Sequence, residues 1–401
     1  MEDETEKKET KEENIKTKAR KKIYSFLKWF GLVVVVAIIG WVVMEYLTSW
    51  KQGDISSKFI AVVMSGTDKS FTIPLEFKQG FGDQPSIKTS NGQIIFIEKK
   101  EDLYSIEQAK IVADKLMNDD RCVLIIGNSN SELTEVTLNS ILDSDNRPAF
   151  ILPIATADNI ISKANSEGYK SILRMVPDND NQASIIKRFI FSKIGNNAKV
   201  ALLVDEENQT YSNNLSKNIS AKIIADNGNV VLDKQYGISN RLINEIEPLR
   251  KNNIFPDIIV YVGVSSNGML LIEELKALKI DVPIIFTDGC TVKDLIKKAK
   301  ELKNESFFLS AVSKSDTGIE PTYEPIGKDA FSLAQKILNS IEQPITRESI
   351  RNYVANNKGN ILLDAGYAGA YAFTDDGNNK LMNFIIYSYQ NDILKEVKGI
   401  K

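Results

Sequence analysis

Cys122-Val-Leu-Ile-Ile-Gly-Asn-Ser-Asn-Ser131 and Arg147-Pro-Ala-Phe-Ile-Leu-Pro-Ile-Ala-Thr156 are the stretches on which the fold turns. Each is an unbroken apolar run that gives way to small and polar residues, with no polar–apolar alternation. A run of that kind is buried on both faces, as in a parallel sheet covered by helices. Between the two, a helix begins at about Ser131. The unit recurs in both directions: Lys58–Met64 and Ile94–Glu98 precede it, and Leu103–Asn118 then carries helical spacing through Ile106, Ala109, Val112 and Leu116. Lys199–Val204, Asn229–Leu232, Asp257–Val262 and Val282–Phe286 follow. Apolar strands alternating with helical stretches predict an α/β chain of two doubly wound parallel-sheet lobes. A ligand then belongs beyond the carboxyl ends of the strands or between the lobes.

Composition narrows the function. The chain has 401 residues, room for two or three domains at roughly 100–200 residues each, and 43% of them are hydrophobic. Net charge is −3, without the basic excess of a nucleic-acid binder. There is no histidine, which removes imidazole metal sites and the Ser-His-Asp and Cys-His nucleophile arrangements. The two cysteines, Cys122 and Cys290, stand in unlike contexts and read as buried thiols. Neither GxGxxG nor GxxxxGK(S/T) follows any strand, so nucleotide binding has no support. No cofactor, metal or catalytic residue is expected.

The N-terminus stands apart. Residues 1–28 form a charged tail, acidic at Glu2, Asp3, Glu4 and Glu6 and basic at Lys16, Lys18, Arg20, Lys21 and Lys22. From Trp29 to Met44 no residue is charged, a length of ~24 Å as a helix. Trp41, Tyr46 and Trp50 supply interfacial aromatics, so 29–50 reads as one transmembrane signal anchor. The basic residues before the span place the tail in the cytoplasm and residues 51–401, after a linker at 51–56, outside it.

Several segments taken in order resemble a known family. Cys122–Ser131 and Arg147–Thr156 follow its first-lobe order, and Arg174-Met-Val-Pro-Asp-Asn-Asp-Asn-Gln182 is similar to its crossover. Lys199–Asp205 with Gln209–Leu215, Pro283–Gly289 and Gly366–Gly377 continue the likeness. The family is the type I periplasmic solute-binding proteins, of the branched-chain amino acid group. The resemblance implies lobe one from 57–175 and 311–372, lobe two from 176–310 and 373–401, and a three-crossover hinge on which a ligand closes the lobes. It also implies the site. Ser131 and Thr156, with Ala155 offering backbone groups, would take a ligand carboxylate; Asp288 would pair with the ligand ammonium and Tyr211 would pack over it. Ser131 also reads as a plain helix cap, Asp288 as an Asp-Gly turn and Tyr211 as surface packing. The implied partners are a small-molecule ligand and an ABC permease or a membrane signalling partner.

One departure from the family pattern stands out. Ser65-Gly-Thr-Asp-Lys-Ser-Phe-Thr-Ile-Pro74 leads towards the strand at Ile94 through a connection broken by Pro and Gly. The first helix of lobe one is expected to be eroded or absent. Its loss would favour an alternative, a cell-envelope adaptor that keeps the fold and binds a protein partner.

Overall fold

Strand β1 (Phe59–Val63) is buried at every position and lies at the centre of the first sheet. The computed structural model describes residues 57–66, 72–312, 322–342, 344–390 and 393–399. The tail, the apolar span 29–50 and the linker 51–56 lie outside the described residues. Among the described residues, no helix is long and apolar enough to cross a membrane.

The first sheet adds β2 (Ser86–Lys88), β3 (Ile94–Lys100), β4 (Cys122–Gly127), β5 (Ala149–Leu152) and β6 (Ile172–Arg174), in the order β2-β3-β1-β4-β5-β6. All its pairs are parallel except the β2–β3 hairpin. The second sheet contains β7 (Lys199–Asp205), β8 (Asn229–Tyr236), β9 (Ile258–Val262), β10 (Ile284–Phe286) and β11 (Ser306–Ser310). After a two-stranded ribbon of β12 (Leu362–Leu363) and β13 (Tyr371–Ala372), β14 (Ile385–Gln390) and β15 (Ile393–Glu396) complete that sheet. Its order is β15-β14-β11-β10-β9-β7-β8, antiparallel only at β14 and β15. In each sheet the order reverses beside the first strand laid down, at β1/β4 and at β7/β9, and there the strand ends leave a crevice.

Helices α1 (Thr72–Phe81), α2 (Ile106–Met117), α3 (Ser131–Leu142) and α4 (Asp158–Ser166) belong with the first sheet. With the second go α5 (Asn179–Lys193), α6 (Gln209–Ala225), α7 (Leu242–Lys251), α8 (Ser265–Ala277) and α9 (Lys293–Ala299). The chain then returns to pack α10 (Glu324–Asn339) on α1 and α11 (Arg347–Asn357) on β4 and β5. It thus passes between the sheets after β6, after β11 and after β13. The first and third passages are tied together: Arg174 N–H donates to the Gly377 carbonyl at 2.8 Å, and Asn379 Nδ2 to the Met175 carbonyl at 2.6 Å.

The expectation of a missing first helix is corrected. Helix α1 is formed, because Pro74 falls in its first turn, where the absent N–H breaks no helical bond. Gly80 does not break it either. A Cβ there would sit 1.8 Å from the Glu324 carbonyl oxygen, and one at Gly327 would sit 2.1 Å from that of Phe77. The two glycines let α1 and α10 cross backbone to backbone. Cys122 and Cys290 are buried free thiols.

Candidate functional site

The carboxyl ends of both sheets converge on one cavity of about 270 Å³, just below the ~300–1,000 Å³ usual for ligand pockets. From the first sheet, Ser129, Asn130 and Ser131 follow β4, and Ile154 and Thr156 follow β5. From the second, Glu207, Asn208 and Tyr211 follow β7, Val264, Ser265 and Ser266 follow β9, and Asp288 and Gly289 follow β10. Helix α1 closes one side with Thr72, Ile73 and Pro74, and Tyr323 arrives just ahead of α10. Among the described residues the charged ones in the lining are Glu207 and Asp288, both acidic.

Asp288 is 5% exposed and sits in a net of neutral donors. Tyr211 Oη donates to its Oδ1 at 2.5 Å and Gln182 Nε2 to the same oxygen at 2.8 Å. The Tyr323 hydroxyl reaches it from the other side of the cavity. Burial pushes the Asp288 carboxyl above its ordinary range, and the bonds from Tyr211 and Gln182 draw it partly back. Burial, and then the neighbouring Asp288, push the Tyr211 phenol far up, so it stays a donor. Tyr323 is itself held from α1, whose Glu76 Oε2 accepts its backbone N–H at 2.9 Å.

On the facing wall Asn130 is the N-cap of α3, its Oδ1 accepting from Leu133 N at 2.8 Å. Ser131 is therefore not the cap but the first helical residue. Its Oγ accepts from the N–H groups of Thr156 and Ala157, at 3.3 Å each, and so joins α3 to the β5–α4 loop. Behind that loop the buried Arg174 guanidinium donates to the carbonyls of Thr156 at 3.1 Å and Ala157 at 2.6 Å. Asp102, also buried, holds Ser129 by its N–H at 3.0 Å and its hydroxyl at 2.7 Å.

The two walls also touch directly. Asn208 Oδ1 accepts from Glu132 N at 3.2 Å, Thr210 Oγ1 donates to Glu135 Oε2 at 2.9 Å, and Asn214 Oδ1 accepts from Asp158 N at 3.1 Å. Among the described residues no group of three or more His, Cys, Asp or Glu is placed to hold a metal ion.

No family model and no curated protein matches the sequence. Solved structures do match. The leucine-binding protein LivK of Thermotoga maritima superposes with a TM-score of 0.70 at 16% identity, over 85% of this chain and 97% of that one. The fold is that of the type I periplasmic binding proteins. The branched-chain amino acid transporter substrate-binding protein LivJ of Streptococcus pneumoniae, in complex with isoleucine, matches with a TM-score of 0.64 at 18% identity, over 86% of this chain and 100% of that one. An ABC transporter substrate-binding protein of Desulfitobacterium hafniense, in complex with Leu, matches with a TM-score of 0.65 at 15% identity, over 85% and 100%.

Within this periplasmic-binding-protein fold, Ser131, Thr156, Tyr211 and Asp288 all line the one cavity. Ala155 does not: it is fully buried in the core, and Ile154 faces the cavity in its place. Three further residues were not legible as site residues. Gln182 lies in the crossover Arg174–Gln182, where a glutamine at the end of the polar run Asp178-Asn-Asp-Asn181 gives no chemical signal. Tyr323 and Tyr104 are single aromatics in loops. Tyr104, bonded to Asn130, has its phenol pushed up to about 12 by burial.

Proposed function

We propose that the chain is an extracytoplasmic binding protein, held to a membrane by residues 29–50, that captures an amino acid or related small polar solute for ABC-type uptake or for sensing. Residues 57–175 and 311–372 would form one jaw of a clamp and 176–310 and 373–401 the other, the ligand favouring the closed state by touching both. Binding is the whole function, with no chemical step. One observation carries the reading: a buried carboxylate, Asp288, opens on the cavity and is met by neutral donors only. A buried charge without a cation is costly, and a ligand ammonium would supply the missing partner. The solved structures of this fold with Leu and with isoleucine support a ligand of that size.

The adaptor alternative rested on loss of the first helix. That helix is formed and walls the cavity, so the argument for it is gone. The test is thermal unfolding of the full chain in detergent against amino acids, amides, amines and organic acids. A ligand at 100 times its dissociation constant adds about 2.7 kcal/mol and raises the midpoint. No shift from a cooperatively folded chain would overturn the reading.

A further inference from the structure

An amino acid presents two charges, and the cavity is built for one of them. On the acidic side, Asp288 and Glu207 line the space, and two more buried carboxylates stand directly behind it. Asp102 holds Ser129 and accepts the Tyr104 N–H at 3.2 Å, while Asp205 accepts the N–H groups of Val264 at 2.8 Å and Glu207 at 2.9 Å. Among the described residues no lysine or arginine lines the cavity. Lys78 on α1 is paired with Glu101. The Arg174 guanidinium, behind Thr156, lies in the field of Asp158, Asp178 and Asp376, which offset its charge.

Four of the N–H groups that would take a carboxylate are already engaged. At the start of α3, Leu133 N–H is used by Asn130, and Glu132 N–H by Asn208 reaching across from the facing wall. Asn208 holds a left-handed backbone, φ 49°, to make that reach. The N–H groups of Thr156 and Ala157 are turned to Ser131 Oγ. The hydroxyls of Ser131 and Thr156 are neutral and serve an amide as readily as a carboxylate.

We infer that recognition is carried by the ligand's ammonium group and that a ligand carboxylate is dispensable, so the ligand class is small primary amines and amino amides as much as amino acids. This rests on the solute-binding reading above and narrows it. A buried carboxylate with no cation beside it among the described residues gains most from a positive ligand, whereas a second negative charge enters against four carboxylates.

The experiment is calorimetric titration of the full chain in detergent with four forms of one skeleton: L-leucine, L-leucinamide, 3-methylbutylamine and 4-methylpentanoate. The same four forms of alanine and of glutamine cover other side chains. The amide and the amine are expected to bind within about tenfold of the amino acid or tighter, and the acid lacking nitrogen about 10–100-fold more weakly, the loss of a charge-assisted bond. Binding of an amino acid with loss of its amide and amine would overturn this inference and leave the solute-binding reading standing. Binding of none of the twelve would overturn both.

Discussion

Asp205, which ends β7, and Asp288, just past β10, are buried carboxylates at strand ends of the same sheet. Burial pushes both above the ordinary carboxylate range. Their partners differ in kind. Asp205 accepts from Tyr261 Oη at 2.7 Å, Asn267 Nδ2 at 2.7 Å and two backbone N–H groups, those of Val264 and Glu207. Those bonds fix the loops after β7 and β9, and Asp205 itself does not line the cavity. Asp288 is met chiefly by the side chains of Tyr211, Gln182 and Tyr323, with backbone bonds from the Gly289 N–H and its own only secondary, and does line it. A carboxylate that anchors backbone is a structural part. One steadied by side chains at the edge of a cavity keeps room for another partner, and the contrast separates scaffold from site where burial alone would not.

The largest expected effect tests that contrast. Asp205→Ala leaves two backbone N–H groups that cannot turn away, a phenol and an amide without their acceptor, and should cost about 3 kcal/mol or more of unfolding free energy. Asp288→Ala leaves chiefly side chains, with the backbone N–H of Gly289, beside a cavity that admits water, so its cost should stay within about 1 kcal/mol. Urea unfolding of both variants decides it, and equal losses would break the distinction.

Ligand binding should show the reverse order. Asp288→Asn is expected to weaken binding of an ammonium ligand by about 100-fold, the scale of a buried charged hydrogen bond, while the ligand-free protein is not destabilised. Calorimetry with the tightest ligand of the panel checks it. A variant that binds as the parent does would remove Asp288 from the site.

Acidity sharpens the same point. The folded-state value of Asp288 lies above the ordinary 3.8, so the folded protein holds this proton to higher pH than the unfolded chain. The cost of ionising it is absent below the unfolded value and grows as pH rises through the folded value. Asp205 contributes with the same sign. Part of the decline in ligand-free stability with rising pH should therefore vanish in Asp288→Asn, read from unfolding midpoints across a pH series. An unchanged slope would show that Asp288 is not ionised at the cost supposed.

Much of this arrangement was legible in the sequence, for physical reasons. Runs such as Cys122–Ile126 and Ile258–Val262 are apolar throughout because both sheet faces are covered, and a ligand site has to follow their ends. Which residues there form the site came from the family resemblance, which pointed to Ser131, Thr156, Tyr211 and Asp288. What escaped depended on distant partners. Gly80 reads as a helix breaker until Glu324 and Gly327 are placed against it. β11 shows three apolar residues between two serines, and β14 and β15 lie at an antiparallel edge where the continuous apolar signal fades. Ala155 and Ile154 differ by one position at a strand end, and the turn of the chain there decides which of them faces the cavity.

Gln182 separates the two aspartates by a smaller margin. It grips Asp288 twice, donating to Oδ1 at 2.8 Å and accepting from the Asp288 N–H at 3.4 Å. Gln182→Met keeps the volume and removes both bonds, so an ammonium ligand should bind about tenfold more weakly, with stability changed by about 1 kcal/mol. A stability loss as large as that of Asp205→Ala would place Gln182 with the scaffold instead.

Tyr211→Phe should have the smallest effect on affinity and the most specific effect on its pH dependence. The phenol donates to Asp288 and would do so with or without ligand, so most of its contribution cancels on binding, and affinity at neutral pH should change by less than about threefold. That bond is also one of those that draw the Asp288 carboxyl back towards its ordinary range. Without it the folded-state value rises further. Binding of an ammonium ligand needs the ionised carboxylate and is lost as pH falls through that value, so the acid limb of the affinity profile should move to higher pH in Tyr211→Phe. An acid limb that stays in place would mean that the group controlling binding is not the carboxylate Tyr211 touches, and the assignment of Asp288 as the ammonium partner would fall with it.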